Sequence, residues 1–192
     1  CTVIRRSNGE NIDPQFVSVP ERVKTFLEDG TPVYGWLYHP KNPDFVAPEG
    51  ERPPLYVEVH GGPEFSASTE YNPKVQVLTT IGVAVLDVDY PGSTRYGRAY
   101  RDALIGQWGE IDRVACRAIA LHLAHEGKVD GQRMVIGGCS AGGYTALGEM
   151  ASDGGVFAGA IAYASIANLF DLAKDTGGFE GGNLLTLVGD PR

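Results

Sequence analysis

Met134-Val135-Ile136-Gly137-Gly138-Cys139-Ser140-Ala141-Gly142-Gly143-Tyr144-Thr145-Ala146-Leu147-Gly148-Glu149-Met150 decides the fold. A short apolar run leads into Gly138-Cys139-Ser140-Ala141-Gly142, and a helix-forming stretch follows. Gly-x-Ser-x-Gly between a strand and a helix marks a nucleophile elbow, a tight strained turn that lifts the serine hydroxyl off the end of a sheet. Glycines flank the serine because any Cβ there meets the neighbouring strand and helix. The pattern predicts an exposed, nucleophilic Ser140. Cys139 is expected to point away from it as a small packed residue.

Upstream, Leu55-Tyr56-Val57-Glu58-Val59 alternates like a buried strand and runs directly into His60-Gly61-Gly62-Pro63. Acyl transfer needs N–H groups aimed at the oxygen that becomes negative in the transition state. The residue after the nucleophile, Ala141, supplies one such donor. A Gly-Gly loop after an earlier strand supplies the other, here Gly62.

Strand-like and helix-like segments alternate from residue 55 onward, as a parallel sheet with helices on both faces requires. Residues 83–88 and 133–137 read as strands, 73–81 as a helix, and 156–164 as a further central strand. The longest helix is expected over 110–126, with Cys116, Ile119, Ala120 and Leu123 as its apolar stripe and Gly127 as its end. Before the alternation, residues 21–27 and 33–38 read as an antiparallel hairpin turning at Asp29-Gly30. Five prolines between residues 40 and 54 predict a surface loop.

These motifs, in this order, resemble the prolyl oligopeptidase family of serine peptidases, and within it the acylaminoacyl-peptidase-like and dipeptidyl-aminopeptidase-like members. Pro20 to Phe26, Asp29-Gly30-Thr31 and Gly35-Trp36-Leu37-Tyr38 are similar to the hairpin that begins that family's hydrolase domain. Gly92-Ser93-Thr94, Tyr96-Gly97-Arg98, Trp108-Gly109-Glu110 with Asp112, Val129-Asp130 with Arg133, and Val188-Gly189-Asp190-Pro191 follow its pattern. The resemblance implies an α/β-hydrolase fold over residues 19–192, incomplete at its C-terminus and lacking the last strands. It implies that residues 1–18 are a linker or the tail of a preceding propeller domain. Pro91 and Arg95 stand where the family usually carries Arg and Gly. His60 occupies a position where other branches place an oxyanion-binding Tyr, which favours a backbone oxyanion hole and a structural role for His60.

A serine needs a base, and the family's order is Ser, then Asp or Glu, then His. All four histidines, His39, His60, His122 and His125, precede Ser140. The triad Asp and His are therefore expected beyond residue 192. The expected activity is hydrolysis of short peptides through an acyl-enzyme on Ser140, with a peptide substrate and the remainder of the parent chain as partners. The 192 residues alone are expected to be inactive. An esterase or amidase of the same fold, or a non-catalytic hydrolase-fold module, are the alternatives.

The chain has 192 residues, a net charge of −8 and three cysteines without metal spacing. An acidic balance argues against nucleic acid as a partner. No apolar run approaches the ~18 residues of a membrane span. No metal or other cofactor is expected. His122, His125 and Glu126 share a helix face but lack a zinc-protease motif, and histidines suit a helix C-terminus. The three cysteines fit a reducing compartment or are simply free thiols, and a cytoplasmic setting is the expectation.

Overall fold

The computed structural model describes Ile4 and residues 12–152, 154–176 and 184–188. Most of the expected 1–18 linker, and the motif residues 189–191, lie outside the described residues.

The order of elements is β1 (Glu21–Phe26), β2 (Pro32–Tyr38), β3 (Leu55–Val59), α1 (Pro73–Thr80), β4 (Ala84–Asp89), α2 (Arg98–Asp102), α3 (Ile111–His125), β5 (Met134–Cys139), α4 (Ala141–Ala151), β6 (Gly159–Tyr163) and α5 (Leu169–Asp175). The strands form one sheet ordered β1-β2-β4-β3-β5-β6. The β1–β2 and β2–β4 pairings are antiparallel; β3–β4, β3–β5 and β5–β6 are parallel. This is the mostly parallel sheet of an α/β-hydrolase, led by an antiparallel hairpin.

The hairpin turns where the sequence predicts. Gly30 adopts φ +85°, and the Asp29 carboxylate accepts from the Thr31 N–H at 2.8 Å. Leu37, Leu86, Val57 and Ile136 then lie side by side across β2, β4, β3 and β5, all fully buried. Burying each such side chain contributes about 2 kcal/mol. Ile119 and Leu123 of α3 and Ala146 of α4 cover that row. The preceding residue of β4, Val85, faces the other side, where it meets Tyr38, Tyr56 and Val75 of α1. The strict alternation along β4 is what lets helices cover both faces.

Helix α3 ends at Gly127, φ +71°. The N–H of Lys128 donates to the Leu123 carbonyl and that of Gly127 to the Ala124 carbonyl, both at 3.0 Å, a double closure that satisfies the last turn. The expected central strand near 156–164 is β6, and it forms the edge of the described sheet with Ile161 and Tyr163 exposed. Among the described residues no helix is long and apolar enough to cross a membrane.

Candidate active site

Ser140 sits between the last residue of β5 and the first of α4, with φ +54° and ψ −117°. A side chain held at positive φ stores roughly 1–3 kcal/mol, which surrounding structure must offset. The offsets are visible. The Ser140 N–H donates to the Tyr163 carbonyl of β6 at 3.2 Å, and the Ser140 carbonyl accepts from Tyr144 at 3.1 Å and Ile166 at 3.5 Å. Steric fit completes the turn. A Cβ on Gly142 would run into the Val59 and His60 carbonyls, and one on Gly138 would lie 2.5 Å from the Val59 carbonyl. The end of β3 thus presses directly on the elbow, and Ser140 is left exposed.

Two braces hold α4 behind the serine. Buried Asp112 of α3 accepts from the Thr145 hydroxyl at 2.6 Å and the Gly109 N–H at 2.7 Å. Burial raises the Asp112 pKa, while those two bonds oppose the rise. Arg117 of α3 pairs with Glu149 of α4.

The His60–Pro63 loop leaves β3 beside the serine. A Cβ on Gly61 would sit 3.6 Å from the Ser140 Cβ. Gly62 is exposed, with φ +126°. A Cβ there would strike the backbone N–H groups of Glu64 and Phe65, so the loop can close this tightly only around a glycine. Ala141 is the first residue of α4, and its N–H is among those a helix leaves without an intrahelical acceptor. Ser140, Gly62 and Ala141 are thus carried by two adjacent strand ends, β3 and β5, at the carboxyl edge of the parallel strands, where ligands of open α/β sheets bind.

No histidine hydrogen-bonds to Ser140 among the described residues. Both ring nitrogens of His60, which follows β3, are engaged, Nδ1 with the Gly61 carbonyl at 2.9 Å and Nε2 with Ser93 Oγ at 2.7 Å. Burial holds its pKa below the ordinary value, so the ring is neutral at pH 7. His39 pairs with Glu21, and His122 with Glu126 at the end of α3.

Sequence reasoning passed over the segment that backs the loop. Tyr90 stacks on His60, ring centroids 4.5 Å apart, and its hydroxyl donates to the Pro63 carbonyl at 2.7 Å. The Thr94 N–H donates to the Phe65 carbonyl at 2.7 Å, and the Ala67 N–H to Asp89 at 2.8 Å. Asp89 is buried, which raises its pKa against the lowering effect of Tyr96 and Ala67. The signal was Gly92-Ser93-Thr94 itself, quoted as a motif without a partner.

A cavity of about 1050 Å³ opens elsewhere, lined by His39, Phe45, Pro54, Gly82 and Arg133 among others. Pro54, Gly82 and Arg133 precede β3, β4 and β5, so this cavity lies at the amino ends of the strands, opposite Ser140.

Comparison with known proteins agrees with this geometry. The prolyl oligopeptidase family profile matches residues 69–180. The uncharacterized peptidase YuxL of Bacillus subtilis is 31% identical over 141 residues, covering 72% of this chain and 20% of that protein. Dipeptidyl-peptidase 5 of Schizosaccharomyces pombe is 32% identical over 124 residues, 60% of this chain and 17% of that protein. Among solved structures, a puromycin-hydrolyzing peptidase of Mycobacterium tuberculosis superposes with a TM-score of 0.93 at 39% identity, over 97% of this chain and 29% of that one. A puromycin hydrolase superposes with a TM-score of 0.90 at 37% identity, over 94% of this chain and 27% of that one. The chain spans less than a third of the length of each of these proteins. With an elbow serine seated against a Gly-Gly loop on this sheet, and with that profile match, the chain belongs to the prolyl oligopeptidase family.

Proposed function

We propose that this chain carries the nucleophile and oxyanion hole of a serine peptidase acting on short peptides. The observation that supports it most is the exposed Ser140, held at φ +54° with the Gly61-Gly62 loop packed against it. Residues 19–192 form part of the hydrolase domain, preceded by a linker or domain tail, and the parent chain supplies the rest of the triad.

In this reading Ser140 Oγ attacks the carbonyl carbon of the scissile bond while a histidine of the parent chain takes its proton. The carbonyl oxygen becomes negative and is held by the Ala141 and Gly62 N–H groups, each worth roughly 3 kcal/mol of transition-state stabilisation. The C–N bond breaks, the amine leaves with the proton, and water hydrolyses the resulting ester by the reverse proton traffic. Asp153, Asp171, Asp175 and Asp190 follow Ser140 in the chain and are given no triad role.

The test uses the full-length protein. Ser140→Ala is expected to abolish both labelling by a fluorophosphonate probe and release of arylamine from aminoacyl and dipeptidyl arylamides. Labelling that survives the substitution places the nucleophile elsewhere. Turnover of p-nitrophenyl esters without any amide turnover makes the enzyme an esterase. Puromycin belongs in the substrate panel because two structural neighbours are named for its hydrolysis.

A further inference from the structure

We infer that Ser93 is a positioning residue for the oxyanion loop, acting through His60 to fix the direction of the Gly62 N–H. The inference rests on the reading of Ser140 and Gly62 given above.

The hydrogen-bond roles follow from the partners. The Tyr90 hydroxyl lies 3.4 Å from His60 Nδ1, but its own proton goes to the Pro63 carbonyl at 2.7 Å, which leaves it an acceptor toward Nδ1. His60 Nδ1 lies 2.9 Å from the Gly61 carbonyl. A carbonyl oxygen has lone pairs and no proton, so Nδ1 bears the hydrogen and donates. In a neutral imidazole the other nitrogen then has only a lone pair. Nε2 therefore accepts, and the donor is the Ser93 hydroxyl, 2.7 Å away. Ser93 is fully buried, and its hydroxyl gives His60 a fixed tautomer and a fixed ring plane. Tyr90 stacked on the ring at 19° closes off rotation.

The consequence passes through one peptide plane. The carbonyl of Gly61 and the N–H of Gly62 belong to the same planar unit and point in opposite directions when it is trans. The only cis peptide bond among the described residues is the next one, Gly62–Pro63. Drawing the Gly61 carbonyl toward His60 therefore turns the Gly62 N–H the other way. Beyond Gly62, the carbonyls of Pro63 and Phe65 and the N–H of Ala67 are held by Tyr90, Thr94 and Asp89. Alternate residues of the loop beyond Gly62 are tied to the last residue of β4 and the segment that follows it. Ser93 is the tie that bears on the Gly61–Gly62 plane.

An oxyanion donor is used only in the transition state, so a misdirected one lowers kcat and leaves KM in place. In the full-length protein, Ser93→Ala is expected to lower kcat on a dipeptidyl arylamide by about ten- to a hundredfold, as displacements of this order do. KM should stay within about twofold. Ser93→Thr, which keeps the hydroxyl, should recover most of the loss. In the wild-type protein labelled with 15N-histidine, His60 should resonate as a neutral imidazole with the proton on Nδ1 and Nε2 accepting. An unchanged kcat in Ser93→Ala overturns the inference. So does a loss carried by KM, or a loss that Ser93→Thr fails to repair. A proton on His60 Nε2 overturns it too, and decides the matter even if Ser93→Ala does not fold. Turnover surviving Ser140→Ala instead sinks the reading of the nucleophile, which is a separate result.

Discussion

Arg117 of α3 grips Glu149 of α4 through two parallel hydrogen bonds, 2.7 Å from Nε to Oε1 and 2.9 Å from Nη2 to Oε2. The Glu149 side chain is only 1% exposed, and Arg117 also donates to Ser152 Oγ at 3.0 Å. The fork matches the carboxylate plane, which a lysine cannot do. The pair clamps the helix that begins at the elbow.

Removing one partner strands the other. Arg117→Ala should leave the Glu149 carboxylate buried and unpaired, at a cost of about 3 kcal/mol. Arg117→Lys should recover only part of it. A lowered urea midpoint with an unchanged slope checks this, and an unshifted midpoint in Arg117→Ala refutes the clamp.

Two glycine substitutions separate crowding from mere composition. Gly142→Ala drives a methyl into the Val59 carbonyl, whereas nothing lies within 4 Å of a Cβ on Gly159. The first should destabilise by at least about 3 kcal/mol and abolish fluorophosphonate labelling, and the second should stay within about 0.5 kcal/mol. Equal effects would mean that the elbow is not closed by β3.

Asp87 gives the fold a pH dependence of definite sign. It lies between Trp36 and Glu58 across the sheet. Burial first, then the charges of Glu58 and Asp89, push its pKa up to about 8, against the Ser68 N–H and Lys74. The unfolded chain gives up this proton near pH 4, the folded chain near pH 8. Between those values the folded state holds more protons, so this group makes stability fall as pH rises, and the fall levels off above about pH 8. Asp87→Asn should flatten that slope. Lys74→Met removes a cation whose Nζ lies 2.5 Å from Glu58, and should move the levelling-off to higher pH. Denaturation midpoints taken from pH 4 to 9 read both effects; a slope that survives Asp87→Asn assigns it to another group.

The elbow was legible in the sequence because its demand is local. Gly138 and Gly142 must lack side chains for Ser140 to turn, and five consecutive residues record that. The hairpin at Asp29-Gly30 and the end of α3 at Gly127 were legible for the same reason. His60 was legible only as structural, since Ser93 and Tyr90 lie far along the chain and meet it only when β3 and β4 pair. The strand β6 was legible in its run of small and apolar residues, Gly159 to Tyr163. The tether from Asp89 to Ala67 and the clamp from Arg117 to Glu149 depend instead on which elements the crossovers make neighbours.

Ser140 hangs by its own amide from the carbonyl of Tyr163, in the outermost described strand. The proposed nucleophile is therefore hung from β6 as well as propped from β3. A shift of β6 along β5 would reach the Ser140 turn through that one hydrogen bond.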